Sequence, residues 1–250
     1  EVAFHATASD AAYLVEPRFR HVVARAMAQG VAKYFADRDG VAVALAADPP
    51  QNLRVRALAG EPGRVEVSWD AAPEDTADYG GHPASAYKVY GSDNGRAFGA
   101  PTIVEGGLTS VVLEGLTPGA ARFFRVTATN PGGESFPSAT IPVIPPCGVP
   151  GDETPAGLLV HGFYRLDAAL LPVDDLSKWG LANITRLDQR RANTFDYLVE
   201  HAWALAAAGI AVDGAEATAV EAGLLPLDAY ELVVWALGEE TFGWGTQALR

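Results

Sequence analysis

The run Val65-Glu66-Val67-Ser68-Trp69 decides the fold of the middle of this chain, together with Phe124-Arg125-Val126-Thr127-Ala128-Thr129-Asn130 further on. In each, apolar and polar side chains alternate with period two, the pattern of a strand with one buried and one solvated face. Leu53/Val55, Tyr87/Val89 (with Tyr90 adjacent) and Val111/Leu113 repeat it. Turn chemistry separates the runs: Gly60-Glu61-Pro62-Gly63, Asp93-Asn94-Gly95, Gly106-Gly107, Thr117-Pro118-Gly119 and Asn130-Pro131-Gly132-Gly133. About seven short strands in about 95 residues predict an aligned β-sandwich.

This stretch resembles a fibronectin type III module strand by strand. Pro49-Pro50 through Val55 is similar to its opening strand, Val65 to Trp69 to strand B with the core tryptophan, and Ala86-Tyr87-Lys88-Val89-Tyr90 to strand C. Gly115-Leu116-Thr117-Pro118-Gly119 and Phe124 to Asn130 resemble the E–F corner and strand F, and Gly132 to Ser138 the turn into strand G. The family's corner tyrosine would fall at Arg122, so its buried hydroxyl contact should be missing or replaced. No Arg-Gly-Asp precedes strand G. The resemblance implies a module that positions other domains and does no chemistry itself.

The chain has 250 residues and a formal charge of −13, without a dense Lys/Arg run, which argues against nucleic acid as a partner. Its apolar stretches are too short to span a bilayer. The single cysteine, Cys147, excludes an intrachain disulfide, and its Ile-Pro-Pro-Cys-Gly-Val-Pro setting is that of a linker thiol, not of a nucleophile. Both ends read as cut, and we expect a piece of a longer protein.

Residues 1–40 carry a helical pattern. Ser9 or Asp10 can cap a short helix, Ala11 to Leu14, and Pro17 opens a longer one. Phe19, Val22, Val23, Ala26, Met27, Gly30, Val31, Tyr34 and Phe35 recur at three- and four-residue spacing, and Gly40 is a natural stop. Such a helix needs a partner surface. The segments Glu1 to His5, Asp10 to Leu14, Pro17 to Arg20, Ala24 to Ala28 and Gly30 to Phe35 resemble the C-terminal end of zinc-dependent N-acetylmuramoyl-L-alanine amidases. The resemblance places the family's closing glutamate at Glu1, as general base to a water activated by Zn2+. That family's metal ligands lie upstream, so none is carried over. Ala3 and His5 depart from its pattern.

After Pro145-Pro146, Gly157-Leu158-Leu159-Val160 reads as a buried strand ending at His161-Gly162. Thr194 to Ala208 reads as a helix, Ile210 to Asp213 as a strand, Ala215 to Gly223 as a helix, and Tyr230 to Trp235 as a strand. This alternation predicts a parallel α/β layer, and it resembles the first half of a flavodoxin- or amidotransferase-like domain. His161-Gly162 has no Gly-x-Ser-x-Gly elbow to serve and reads as a strand-end turn. Glu239-Glu240 follows a parallel strand, where open α/β sheets place ligands, but a solvated loop is the favoured reading. His21 and His201 lie on helices without a second ligand at i+3 or i+4, His82 lies in a loop, and all three read as surface histidines. Trp69 and Tyr87 belong to the sandwich core. Trp203, Trp235 and Trp244 could stack on sugars or serve as packing.

The chain is thus expected to be multidomain: an α-helical tail of an α/β amidase domain (1–42), a fibronectin type III β-sandwich (48–145) and a partial parallel α/β layer (156–250). The resemblance implies an exported peptidoglycan hydrolase, extracellular or periplasmic, in which Glu1 is the catalytic residue present here and the Zn2+ ligands are not. Peptidoglycan or another cell-envelope polysaccharide is the expected partner, with no nucleic acid and no membrane span. Alone, this segment should be inactive, since one carboxylate cannot organise a hydrolytic water. A non-catalytic surface scaffold and the accessory region of a polysaccharide lyase are the alternatives.

Overall fold

The computed structural model describes residues 3–4, 6–15, 17–71, 81–148, 154–162, 173–185 and 198–237. The alternating runs form two sheets. In the first, β1 (Gln51–Ala57), β2 (Val65–Asp70) and β5 (Ser110–Leu113) run antiparallel. In the second, β4 (Thr102–Glu105), β3 (Ala86–Ser92), β6 (Arg122–Asn130) and β7 (Gly133–Glu134) follow in that order, and β8 (Ile141–Val143) also pairs with β6. One side chain in two from each sheet enters a common core of Leu53, Val55, Val67, Trp69, Val89 and Val126. Trp69 meets Tyr87 edge-on at 5.2 Å between centroids. Each such side chain contributes roughly 1.5–3 kcal/mol by leaving water. At the E–F corner Arg122 stands where a tyrosine was looked for, and its guanidinium pairs with Asp93 at the end of β3. The corner contact is replaced by an ion pair.

The parallel layer consists of β9 (Gly157–His161), β12 (Val212–Glu216) and β13 (Leu232–Ala236), with β9 in the centre. It does not stand apart from the sandwich. β12 pairs antiparallel with β1, Arg54 opposite Ala215 and Val55 opposite Gly214, giving one six-stranded sheet in the order β13-β9-β12-β1-β2-β5. Each unit thereby closes an edge of the other. Ile144 and Val212 exchange two main-chain hydrogen bonds, 2.9 and 3.1 Å, which fastens the connecting segment too. Gly214 is required at this joint, since a Cβ there would collide with the Pro142 carbonyl.

Helix α3 (Leu198–Ala207) covers the sandwich side of the layer, burying Leu198, Val199 and Ala202 in the shared core. Helix α4 (Ala217–Glu221) contributes Ala219 and Val220 to a second cluster with Leu158, Val160 and Leu225. The strand expected at 210–213 and the helix expected from 215 are displaced, because Gly214 to Glu216 extend the strand. A hairpin not anticipated from periodicity, β10 (Val173–Asp175) and β11 (Asn183–Thr185), lies between β9 and α3 in the chain.

At the N-terminus α1 (Ala8–Val15) and α2 (Pro17–Asp39) form, the latter ending at Gly40 in the left-handed region, φ 65°. Asp10 lies inside α1, where its carboxylate accepts the Phe4 amide at 3.0 Å. Arg25 ties α2 to the sandwich, contacting Asp48 at 2.6 Å and donating to the Ala46 carbonyl at 3.0 Å. Val22, Met27, Val31, Tyr34 and Phe35 stay exposed on α2, Met27 at 62% and Tyr34 at 65%. Among the described residues no helix is long and apolar enough to cross a membrane.

Candidate functional site

Glu1, His5, Glu239, Glu240 and Trp244 lie outside the described residues. The chemistry on view gathers at two places: the joint between layer and sandwich, and the outer face of the β4-β3-β6-β7 sheet.

β12 carries two buried carboxylates, Asp213 and Glu216. Glu216 accepts the Leu53 amide at 3.1 Å through Oε2 and the Ala139 amide at 3.2 Å through Oε1. Burial pushes its carboxyl up to about 7, against the pull of these amides. Asp213 accepts the Ala57 amide at 2.8 Å and the Tyr230 hydroxyl at 2.8 Å, with Arg56 Nε at 3.9 Å. Its carboxyl is raised to about 6, again chiefly by burial. Burial, and then Asp213 itself, hold the Tyr230 hydroxyl above its usual range. The two side chains thus bracket the short β1–β12 ladder and take β1 amides that its carbonyls do not reach. Carboxylates so engaged with main-chain donors fasten a joint; acid–base work on an outside substrate would need them turned outward.

His161 is fully buried at the carboxyl end of β9, in register beside Glu216. Gly162 donates to the Ala236 carbonyl at 2.9 Å and leaves room for the Trp235 indole. Trp235 is therefore packing. Trp203 lies edge-on to Phe123 at 6.5 Å with Arg96 over its face, which welds α3 to the sandwich. His82 accepts the Leu45 amide through Nδ1 at 3.3 Å, a structural task. His201 and Cys147 are exposed.

On the outer sheet face Glu134 gathers three donors: Lys88 Nζ at 2.6 Å, Tyr90 OH at 2.7 Å and Thr127 Oγ1 at 2.7 Å. Lys88 first, then Tyr90, draw its carboxyl down to about 2. Beside it Arg125 lies over the Phe98 ring at 3.9 Å and the Tyr90 ring at 5.6 Å. Desolvation lowers the guanidinium from its ordinary value. Neither group was marked by the sequence beyond its outward strand position. A groove of about 430 Å³ separates α2 from the sandwich, walled by Ala24, Ala28, Ala32, Leu45 and Phe136. Among the described residues no group of three or more His, Cys, Asp or Glu side chains could hold a metal ion.

Residues 48–144 match the family model for the fibronectin type III domain and form such a module. Solved structures similar to part of the chain include the FN1–FN3 domains of chicken CNTN1, at 24% identity and TM-score 0.33 over 40% of this chain and 31% of that one. The third fibronectin III domain of human KIAA0343 protein matches at 24% identity and TM-score 0.34, over 42% of this chain and 86% of that one. Titin domains A168–A170 match at 25% identity and TM-score 0.32, over 40% of this chain and 31% of that one. The chain thus spans about a third of the CNTN1 and A168–A170 chains.

Proposed function

We infer that this chain is the rigid spacer-and-scaffold portion of an exported peptidoglycan hydrolase. The spacer reading rests on one observation: the fibronectin module and the parallel layer share a sheet through β1 and β12. A joint made of paired strands and buried carboxylates holds the two units at a fixed angle, which a flexible linker would not.

The hydrolase reading rests on the amidase-like run from Glu1 to Phe35, and the exposed apolar row of α2 is consistent with a helix that packs on a catalytic body. In that reading Glu1 is the catalytic residue, acting as general base to a zinc-activated water at the amide between muramic acid and L-alanine, with the ligands supplied upstream. The strand order β12-β9-β13, second–first–third in the chain, has helices on both faces and supports a doubly wound, flavodoxin-like layer.

The test uses the full-length protein: its zinc content, and release of L-alanine-bearing peptides from purified peptidoglycan with and without chelator. Zinc-dependent release that disappears in Glu1→Ala is the expected result. Zinc-free protein without release would overturn the hydrolase reading and leave the spacer.

A further inference from the structure

Among the described residues of the sandwich Arg54, Arg64, Arg96 and Arg122 each make an ion pair, and Arg125 makes none. Its Nε is buried without a hydrogen-bond partner, and no carboxylate pairs with it among the described residues. Two rings shield it, Phe98 at 3.9 Å and Tyr90 at 5.6 Å. A guanidinium cannot shed its proton and carries no acceptor, so a partner must bring oxygens. A carboxylate fits its planar fork with two parallel hydrogen bonds, and the pair strengthens where water is partly excluded.

The surroundings say what else the partner carries. Tyr90 lies opposite Arg125 and Lys88 opposite Thr127 in the β3–β6 register. Thr127 is therefore two residues from Arg125 along β6, about 7 Å. There Lys88 and Glu134 form an ion pair at 2.6 Å, their side chains 30% and 34% exposed, offering one donor and one acceptor group side by side. Two cations stand against one anion in this cluster, a local excess of positive charge on a chain of net charge −13. The face offers hydrogen-bonding groups and stacked rings side by side.

We propose that the outer face of the β4-β3-β6-β7 sheet is a binding site for an acidic sugar, whose carboxylate seats on Arg125 and whose ring hydroxyls meet Lys88 and Glu134. Sugar is chosen over a peptide carboxylate because hydroxyls, which both donate and accept, match the adjoining Lys88–Glu134 donor–acceptor pair about one ring's breadth from Arg125. The choice also rests on the envelope-polysaccharide reading above. Binding is measured on the purified protein without any hydrolysis, so it stands or falls separately from the amidase.

The experiment follows backbone amide shifts of the purified, isotope-labelled chain during titration with N-acetylmuramic acid, neutral N-acetylglucosamine and N-acetyl-D-alanine. The acidic sugar should move amides of Tyr90, Arg125 and Thr127, with at least a fivefold weaker response to the other two ligands. Arg125→Gln should abolish the response, Arg125→Lys should weaken it, and Glu134→Gln should weaken it while leaving the carboxylate contact. The unchanged remainder of the spectrum reports that each variant is folded. An equal response to the neutral sugar, or an acid response that survives Arg125→Gln, overturns the site. A stronger response to N-acetyl-D-alanine overturns the assignment to sugar.

Discussion

Glu216 on β12 accepts the amide of Leu53 on β1 at 3.1 Å, across the boundary between the parallel layer and the sandwich. Leu53 follows Asn52, whose backbone is left-handed with φ 54°, and the β1–β2 register shifts between Gln51 and Arg54. The irregular start of β1 turns an amide away from the regular ladder, and the carboxylate occupies it. The joint therefore depends on a side chain that a generic strand would not carry.

Replacing Glu216 by alanine strands the buried amides of Leu53 and Ala139 and opens a cavity. The expected loss is about 2–4 kcal/mol of unfolding free energy, from two unsatisfied donors and lost packing. Urea unfolding followed by tryptophan fluorescence and by far-UV circular dichroism checks it. The midpoint should fall by both probes together, because sandwich and layer share one sheet. A drop confined to one probe would show that the units unfold separately.

The same joint should make the protein less stable as pH rises. Glu216 and Asp213 have folded-state values raised to about 7 and about 6, both chiefly by burial. A raised carboxyl holds its proton in the folded state, so its contribution is complete below the unfolded value and disappears as pH climbs through the folded one. The window is roughly pH 4 to 7, and Glu216 alone accounts for at most on the order of 3 kcal/mol. Glu134, held down to about 2, has the opposite sign, its contribution lost only as pH falls through the folded value. Lying at the solvated surface of the sheet, where water screens the pair, it matters little by comparison. Urea midpoints should be higher at pH 5 than at pH 7.5, and Glu216→Gln should flatten the difference. A midpoint that rises steadily over this range would contradict the assignment.

Why the sandwich was legible and the joint was not follows from what each asks of a residue. Val65, Val67 and Trp69 are buried because they share one face, and a face is visible in the sequence as alternation. Asp213 and Glu216 are buried because β1 presents amides to them, and β1 lies about 160 residues away in the chain. In the sequence they look like solvated ends, so the strand reads as stopping at Asp213 and a helix as starting at Ala215. Pairing on both sides of β12 overrides that local preference. Arg125 was hidden for a related reason: an outward arginine on a strand is unremarkable until Phe98 and Tyr90 are seen around it. The α2 stop at Gly40 was local, and it was readable.

Gly214→Ala tests the close approach of β12 and β8. An added methyl would meet the Pro142 carbonyl, and neither strand is free to move, since β8 is paired to β6 and β12 to β1 and β9. Overpacking of this kind costs about 1–3 kcal/mol. The variant should melt lower than the wild type, whereas Gly99→Ala, in open space, should melt with it.

Arg25 is the polar anchor of α2 on the sandwich, and its loss should separate helix from module without unfolding either core. The Arg25–Asp48 pair is mostly shielded, with side chains 17% and 20% exposed, and the same guanidinium serves the Ala46 carbonyl. Arg25→Ala leaves Asp48 with its hydrogen bond from the Gly81 amide, so Asp48 itself is not orphaned. The apolar part of the α2 contact is the groove of about 430 Å³ walled mainly by alanines, which buries little apolar area. Limited trypsin digestion should therefore cut within 1–40 much faster in the variant, with the rest of the digestion pattern and the melting temperature unchanged. Equal protection of α2 in variant and wild type would mean that the remaining contacts of the helix hold it without Arg25.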